Sequence, residues 1–177
     1  MSNASIIPSI LTLLVLFNNI VKGEYQIDQK DTTCYVLLDR FYDGRGIVFS
    51  KNDNFIKSKK DEQQINLTIS EVIEAEVILD SLTNLQFKDD SLKINKIKTK
   101  RRKYNRHYWG IQTDNGEKII QMYIFNFSNP KAIKYFENWD KGFVFGTDDF
   151  YAENARIYWI NLTKRKLENG SWPLELK

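Results

Sequence analysis

The chain has 177 residues, of which 42% are hydrophobic and 28% are charged, a composition that excludes a disordered or fibrous protein. This length favours one domain. The net charge of +3 gives no general attraction to polyanions, so any such binding must come from a local cluster of charges. The only cysteine, Cys34, excludes an internal disulfide, and the domain must be held together by its core.

The first 23 residues differ from the rest and have the plan of a secretory signal peptide. Residues 6–17 form an uncharged, mostly apolar run of 12, and Val21 and Gly23 precede a possible cleavage point. Such a run is too short to span a bilayer, which takes about 20 apolar residues. A buried N-terminal helix or strand is the alternative. We expect residues 1–23 to be a signal peptide and 24–177 to be one exported domain, periplasmic or extracellular, without a transmembrane span.

Two short strands are predicted at the start of the mature chain, Tyr35–Asp39 and Ile47–Ser50. Between them, residues 43–46 supply an aspartate and two glycines that tolerate turn conformations. The charged, weakly apolar stretch 51–64 predicts a solvated loop.

A helix is predicted from Ile69 to about Leu85. Thr68 and Glu71 have the spacing of a capping box, in which each side chain binds a free amide of the first turn. Apolar residues then recur at helical spacing. An alternating pattern over 67–79 also fits a strand, but the cap and the length favour the helix.

The main sheet is predicted in the C-terminal half, where 16 of the 24 aromatic residues lie. Flat rings suit the half-buried surface of strands, and an Asn-Gly turn at 115–116 favours a hairpin. The predicted hairpin strands are Tyr104–Thr113 and Lys118–Phe127. After them come a short helix from Pro130 to about Trp139 and strands at Phe143–Phe145, Ala155–Thr163 and near Trp172. This order predicts an α+β domain, one main helix packed on an antiparallel meander sheet, in a layout similar to cystatin-like folds.

The strongest signal for binding is the basic segment 93–106, which contains eight lysines and arginines and no acid beside large aromatic residues. Such a segment can bind an anionic glycan, a lipid headgroup, an acidic protein or a nucleic acid strand, although export argues against nucleic acid. The alternative is a charged strand edge that prevents aggregation. The candidate binding residues are Lys98, Lys100, Arg101, Arg102, Lys103, Tyr104, Arg106, Tyr108 and Trp109.

Candidates for catalysis are few. His107 is the only histidine, and a dyad with Cys34 would require two distant segments to meet. One histidine and one cysteine fall short of the ligands of a zinc site, and no glycine-rich phosphate loop is present. Clustered acids at 71–76 and 148–153 could hydrolyse glycosides only if a cleft held two of them at a defined separation. No cofactor or metal is predicted.

Short motifs over residues 66–162 resemble those of a group of small exported bacterial proteins with no assigned activity. The motifs are Thr68-Ile-Ser-Glu-Val, Ala75-Glu76 with Leu79, Tyr104-x-Arg106-x-Tyr108-x-Gly110, Gly116–Ile120, Asn138–Lys141 and Ile157–Leu162. Residues 146–149 depart from the Asp-Gly-Gly turn of the group. The resemblance implies export and an α+β domain, and it supplies no catalytic residue.

These observations predict a non-enzymatic exported binding protein of the bacterial envelope or exterior. Its partner would be a protein or an anionic envelope component, and an inhibitor or immunity-type role is one form of this function. The expected contact surface is the aromatic face of the sheet together with the basic segment, since large rings with polar tips make good anchors. The alternative is a small hydrolase that uses a carboxylate pair or His107.

Overall fold

The computed structural model describes residues 33–53 and 62–170, which form a mixed α and β fold with a seven-stranded sheet. The strands are β1 Cys34–Val36, β2 Gly46–Val48, β3 Glu62–Ile65, β4 Asn105–Thr113, β5 Lys118–Phe125, β6 Ala155–Asn161 and β7 Lys166–Gly170. The helices are α1 Ile69–Gln86, α2 Ser91–Arg102, α3 Pro130–Tyr135 and α4 Asp149–Asn154. The predicted leader 1–23 and the predicted strand near Trp172 lie outside the described residues.

The sheet is a meander only in part. Strands β4 to β7 are successive antiparallel neighbours. Of these, β4, β5 and β6 correspond to the predicted strands Tyr104–Thr113, Lys118–Phe127 and Ala155–Thr163. On the other side of β4, β2 pairs in parallel with residues 106–108, and β3 pairs antiparallel with residues 110–113. A parallel pair needs a long crossover connection, and the segment that contains α1 and α2 provides it. One helix on an antiparallel meander is therefore only a rough description of this fold.

Helix α1 begins and ends close to its predicted bounds because its capping box forms. The backbone amide of Glu71 donates to Thr68 Oγ1 at 3.2 Å, and the amide of Thr68 donates to Glu71 Oε2 at 2.8 Å. Val72, Ala75 and Leu79 are buried in the core between α1 and the sheet. The rival prediction of a strand over 67–79 is wrong.

The sheet separates two apolar cores, since successive side chains of a strand point to opposite faces. In β5, Ile120, Met122 and Ile124 belong to the core beneath α1. Tyr123 and Phe125 belong to the second core, on the other face. Both faces of the central strands are therefore buried.

The second core is aromatic and lies under residues 126–154, which include α3 and α4. The ring centroids of Phe125 and Phe136 are 5.0 Å apart, and those of Phe127 and Trp139 are 5.5 Å apart. The aromatic face of the sheet is thus interior, and the expectation that it is an exposed contact surface is corrected. The segment that covers this face is itself rich in rings, so the two sets pack against each other.

Several stretches take structures that differ from the predictions. Residues 62–64 of the predicted solvated loop belong to β3, and residues 149–154 form helix α4, which the sequence does not predict. The basic segment forms helix α2 up to Arg102 and no strand edge there, because Asp90 caps its first turn by accepting from the amide of Lys93 at 2.8 Å. Residues 143–145 form no strand. Phe143 instead packs on Tyr123, with ring centroids 4.9 Å apart, and helps to close the aromatic core.

Gly110 in β4 provides a test of this packing. A methyl group on Gly110 would meet the carbonyl oxygen of Ile65 at 2.8 Å and Leu67 Cδ2 at 2.6 Å. Because the Ile65 carbonyl belongs to the paired backbone of β3, Gly110→Ala should lower the free energy of unfolding by about 1–3 kcal/mol. Urea unfolding measures this change. A loss of less than about 0.5 kcal/mol, the usual effect of a surface substitution, would contradict the close approach.

Candidate functional site

The nine predicted binding residues divide into a buried and an exposed group, and they do not form one surface. Five side chains are at most 3% exposed: Arg101, Tyr104, Arg106, Tyr108 and Trp109. The other four are partly or fully exposed on α2 and its C-cap: Lys98, Lys100, Arg102 and Lys103. Trp109 also lies on the aromatic side of β4, whereas Arg106 and Tyr108 face α1.

Arg106 anchors β4 to α1 through a buried ion pair. Its Nε donates to Glu76 Oε1 at 2.7 Å, and Tyr108 Oη donates to the same oxygen at 2.7 Å. The guanidinium carbon lies 4.0 Å from the ring centroid of Tyr42, a cation–π contact. Burial alone would lower the pKa of Arg106, but the charge and hydrogen bond of Glu76, together with Tyr108 and Tyr42, outweigh it and the net pKa is raised. Arg106 therefore keeps its charge inside the core.

Arg101 and Arg102 hold α2 in place. Arg101 is buried and pairs with Asp80 of α1. Arg102 pairs with Asp43 and donates to the carbonyl oxygens of residues 39–40 at 2.7 and 2.9 Å. These two arginines thus link α2 both to α1 and to the loop before β2. Their first role is in the fold.

The remaining cations lie on what we call the outer face of α2. Its residues are exposed and lie three, four, seven and eleven positions after the first, the spacing of one helix face: Leu92, Asn95, Lys96, Thr99 and the C-cap Lys103. Neither Lys96 nor Lys103 has an ion-pair partner among the residues that the structure describes. This face is flanked by Lys98, whose Nζ lies 3.7 Å from Asp80 Oδ2, and by the partly exposed Lys100. The outer face is a positively charged surface on a helix that is already fixed.

His107 lies on the opposite side of β4, enclosed by aromatic rings. The ring centroids of Phe125 and Phe49 are 4.8 and 4.9 Å away, and Trp139 stacks at 5.8 Å. Its Nε2 is 2.7 Å from the carbonyl oxygen of Trp139, and none of its described hydrogen bonds involves a carboxylate or Cys34. Burial lowers the pKa of His107 to about 4, so the ring is neutral at pH 7. This is the environment of a core residue.

The fold brings together a pair of carboxylates that are far apart in the chain. For this reason the sequence did not indicate the pair. Glu117 and Glu168 both accept from Nδ2 of Asn161, at 2.7 and 2.8 Å. A hydrogen bond from Lys164 lowers the pKa of Glu117, and one from Lys166 lowers that of Glu168. A glycosidase needs one carboxyl group with a raised pKa as its general acid, and neither member of this pair has one.

Metal binding and membrane spanning find no support in the described ranges. Residues 33–53 and 62–170 contain no group of three or more His, Cys, Asp or Glu side chains that could hold a metal ion. Within the same ranges, no helix is both long and apolar enough to cross a bilayer.

Comparison with known proteins assigns no family. No protein-family model, curated protein or solved structure matches the chain. Function is therefore inferred from the geometry of the outer face of α2 and from the sequence.

The single histidine gives a direct test of the aromatic core. The ring-proton NMR signals of His107 should titrate with a midpoint of about 4, because burial disfavours the charged ring. The unfolded chain takes up this proton near pH 6.5, so the stability linked to His107 is full above about pH 6.5 and falls as the pH drops towards 4. His107→Phe should make unfolding less sensitive to pH across this window. A midpoint near 6.5 would contradict the burial.

Proposed function

We propose that this protein is an exported, non-enzymatic binding protein that uses the outer face of α2 to bind an anionic partner in the bacterial envelope or exterior. The observation that carries the proposal is that the cations of the basic segment divide into a buried group and an exposed group. Arg101 and Arg106 are inside the fold, whereas Lys96 and Lys103 are displayed without a described ion-pair partner. Because the fold already fixes α2, binding would require little ordering of the backbone.

Export is part of the proposal and is supported by the apolar run at residues 6–17 and by the resemblance to exported proteins. It favours a lipid, a glycan or an acidic protein over nucleic acid. An inhibitor or immunity-type role is one form of this function. The cystatin-like layout is kept as a proposal only for α1 and β4–β7, where one helix packs on a meander.

Charge reversal on the outer face tests the proposal. Lys96→Glu/Lys103→Glu should weaken binding to heparin, a soluble polyanion, about tenfold or more in 50 mM salt, because each change replaces an attraction by a repulsion. Arg101 and Arg102 are left unchanged, since their loss would destabilise the fold. Retention on a heparin column and fluorescence titration measure the affinity.

A matched control is Lys131→Glu/Lys134→Glu, which changes the net charge equally. Both lysines are exposed on α3, on the other side of the sheet. This control should bind heparin nearly as well as the parent protein. The proposal fails if the parent protein does not bind, or if the two variants lose the same affinity. Circular dichroism checks that both variants are folded.

A further inference from the structure

Resting on the proposed function, we infer that the anionic partner is a lipid surface, which the protein contacts with the outer face of α2 and the corner between α1 and α2. Leu85 and Leu92 are 69% and 81% exposed, the highest values among the large hydrophobic residues described. Single exposed leucines are common, but Leu92 shares the outer face of α2 with Lys96 and Lys103, and Leu85 lies near the end of the preceding helix. This arrangement combines the apolar and cationic features of interfacial helices.

The two leucines lie at one corner of the fold. Leu85 is in the last turn of α1 and Leu92 is in the first turn of α2. The turn between the helices is tight, with the amide of Asp90 donating to the carbonyl oxygen of Phe87 at 2.8 Å. The Nζ of Lys93 lies 4.4 Å from the ring centroid of Phe87, so a cation already adjoins the apolar side chains here.

A lipid surface uses both features, whereas a soluble polyanion uses only the charge. Leucines at the corner can enter the boundary between headgroups and acyl chains, while Lys96 and Lys103 remain at the level of the anionic headgroups. The exposed Asp89 would oppose such a surface, and Lys88 beside it offsets that charge. The second acid of the corner, Asp90, is engaged as the N-cap of α2.

Two exposed apolar residues elsewhere in the described chain provide a comparison. Ile133 and Phe145 are 55% and 63% exposed on the segment that covers the aromatic core. Phe145 is close in the chain to two exposed acids, Asp148 and Asp149, whereas Ile133 lies between the exposed Lys131 and Lys134. Charges of both signs therefore flank these two residues, whereas the charged residues of the outer face of α2 are all cationic. The two residues supply a control of similar apolar character.

Co-sedimentation with vesicles tests the inference. The probes are vesicles of phosphatidylglycerol mixed with phosphatidylcholine, and vesicles of phosphatidylcholine alone. The parent protein should bind only the anionic vesicles. Leu85→Gln/Leu92→Gln should bind them about tenfold more weakly and keep its affinity for heparin, because only the apolar contribution is removed. Ile133→Gln/Phe145→Gln should bind like the parent protein.

Failure of the inference and failure of the proposed function give different results. If the parent protein binds heparin but no vesicles, or if the leucine variant binds vesicles like the parent, the inference of a lipid surface is wrong. The proposal of an anionic partner is then unaffected. If Lys96→Glu/Lys103→Glu keeps full affinity for both heparin and vesicles, the outer face is not the binding surface and both ideas fall.

Discussion

One buried carboxylate oxygen connects helix α1 to strand β4 of the sheet. Glu76 of α1 accepts hydrogen bonds from Arg106 and Tyr108 of β4, and all three side chains are at most 1% exposed. Strand β4 pairs with β2, β3 and β5, so the position of α1 relative to β4 fixes α1 relative to most of the sheet. Removing one member of a buried ion pair leaves a charge without compensation, which typically costs about 3–5 kcal/mol.

Because a buried charge must be paired, the position of the acids in α1 also determines which part of the basic segment is available to a partner. Arg101 reaches inward to Asp80 as Arg106 does to Glu76, and these contacts fix α2 and the strand that follows it. Helical periodicity then turns Lys96 and Lys103 outward. The basic segment therefore has two roles. Its buried arginines hold the helix and the following strand in place, and its exposed lysines form a cationic surface. Arginine suits the first, because its planar guanidinium can donate to several acceptors at once.

Local signals predicted much of the fold, and contacts between distant segments account for what was missed. The capping box at Thr68 and the Asn-Gly turn act within a few residues, and both elements form where predicted. Strands β3 and β7 contain one apolar residue each, so their pairing with β4 and β6 left no pattern to detect. The site was predicted only in part, because burial of Arg101 and Arg106 depends on acids in α1.

The central claim, that the Glu76–Arg106 pair joins α1 to β4, is tested most directly by a double-mutant cycle. The free energy of urea unfolding is measured for Glu76→Leu, Arg106→Leu and the double variant. Each single change should be strongly destabilising, and the double variant should lose at least about 1 kcal/mol less than the sum of the two. Effects that add to within about 0.5 kcal/mol would show that the two side chains do not interact, and would contradict the account.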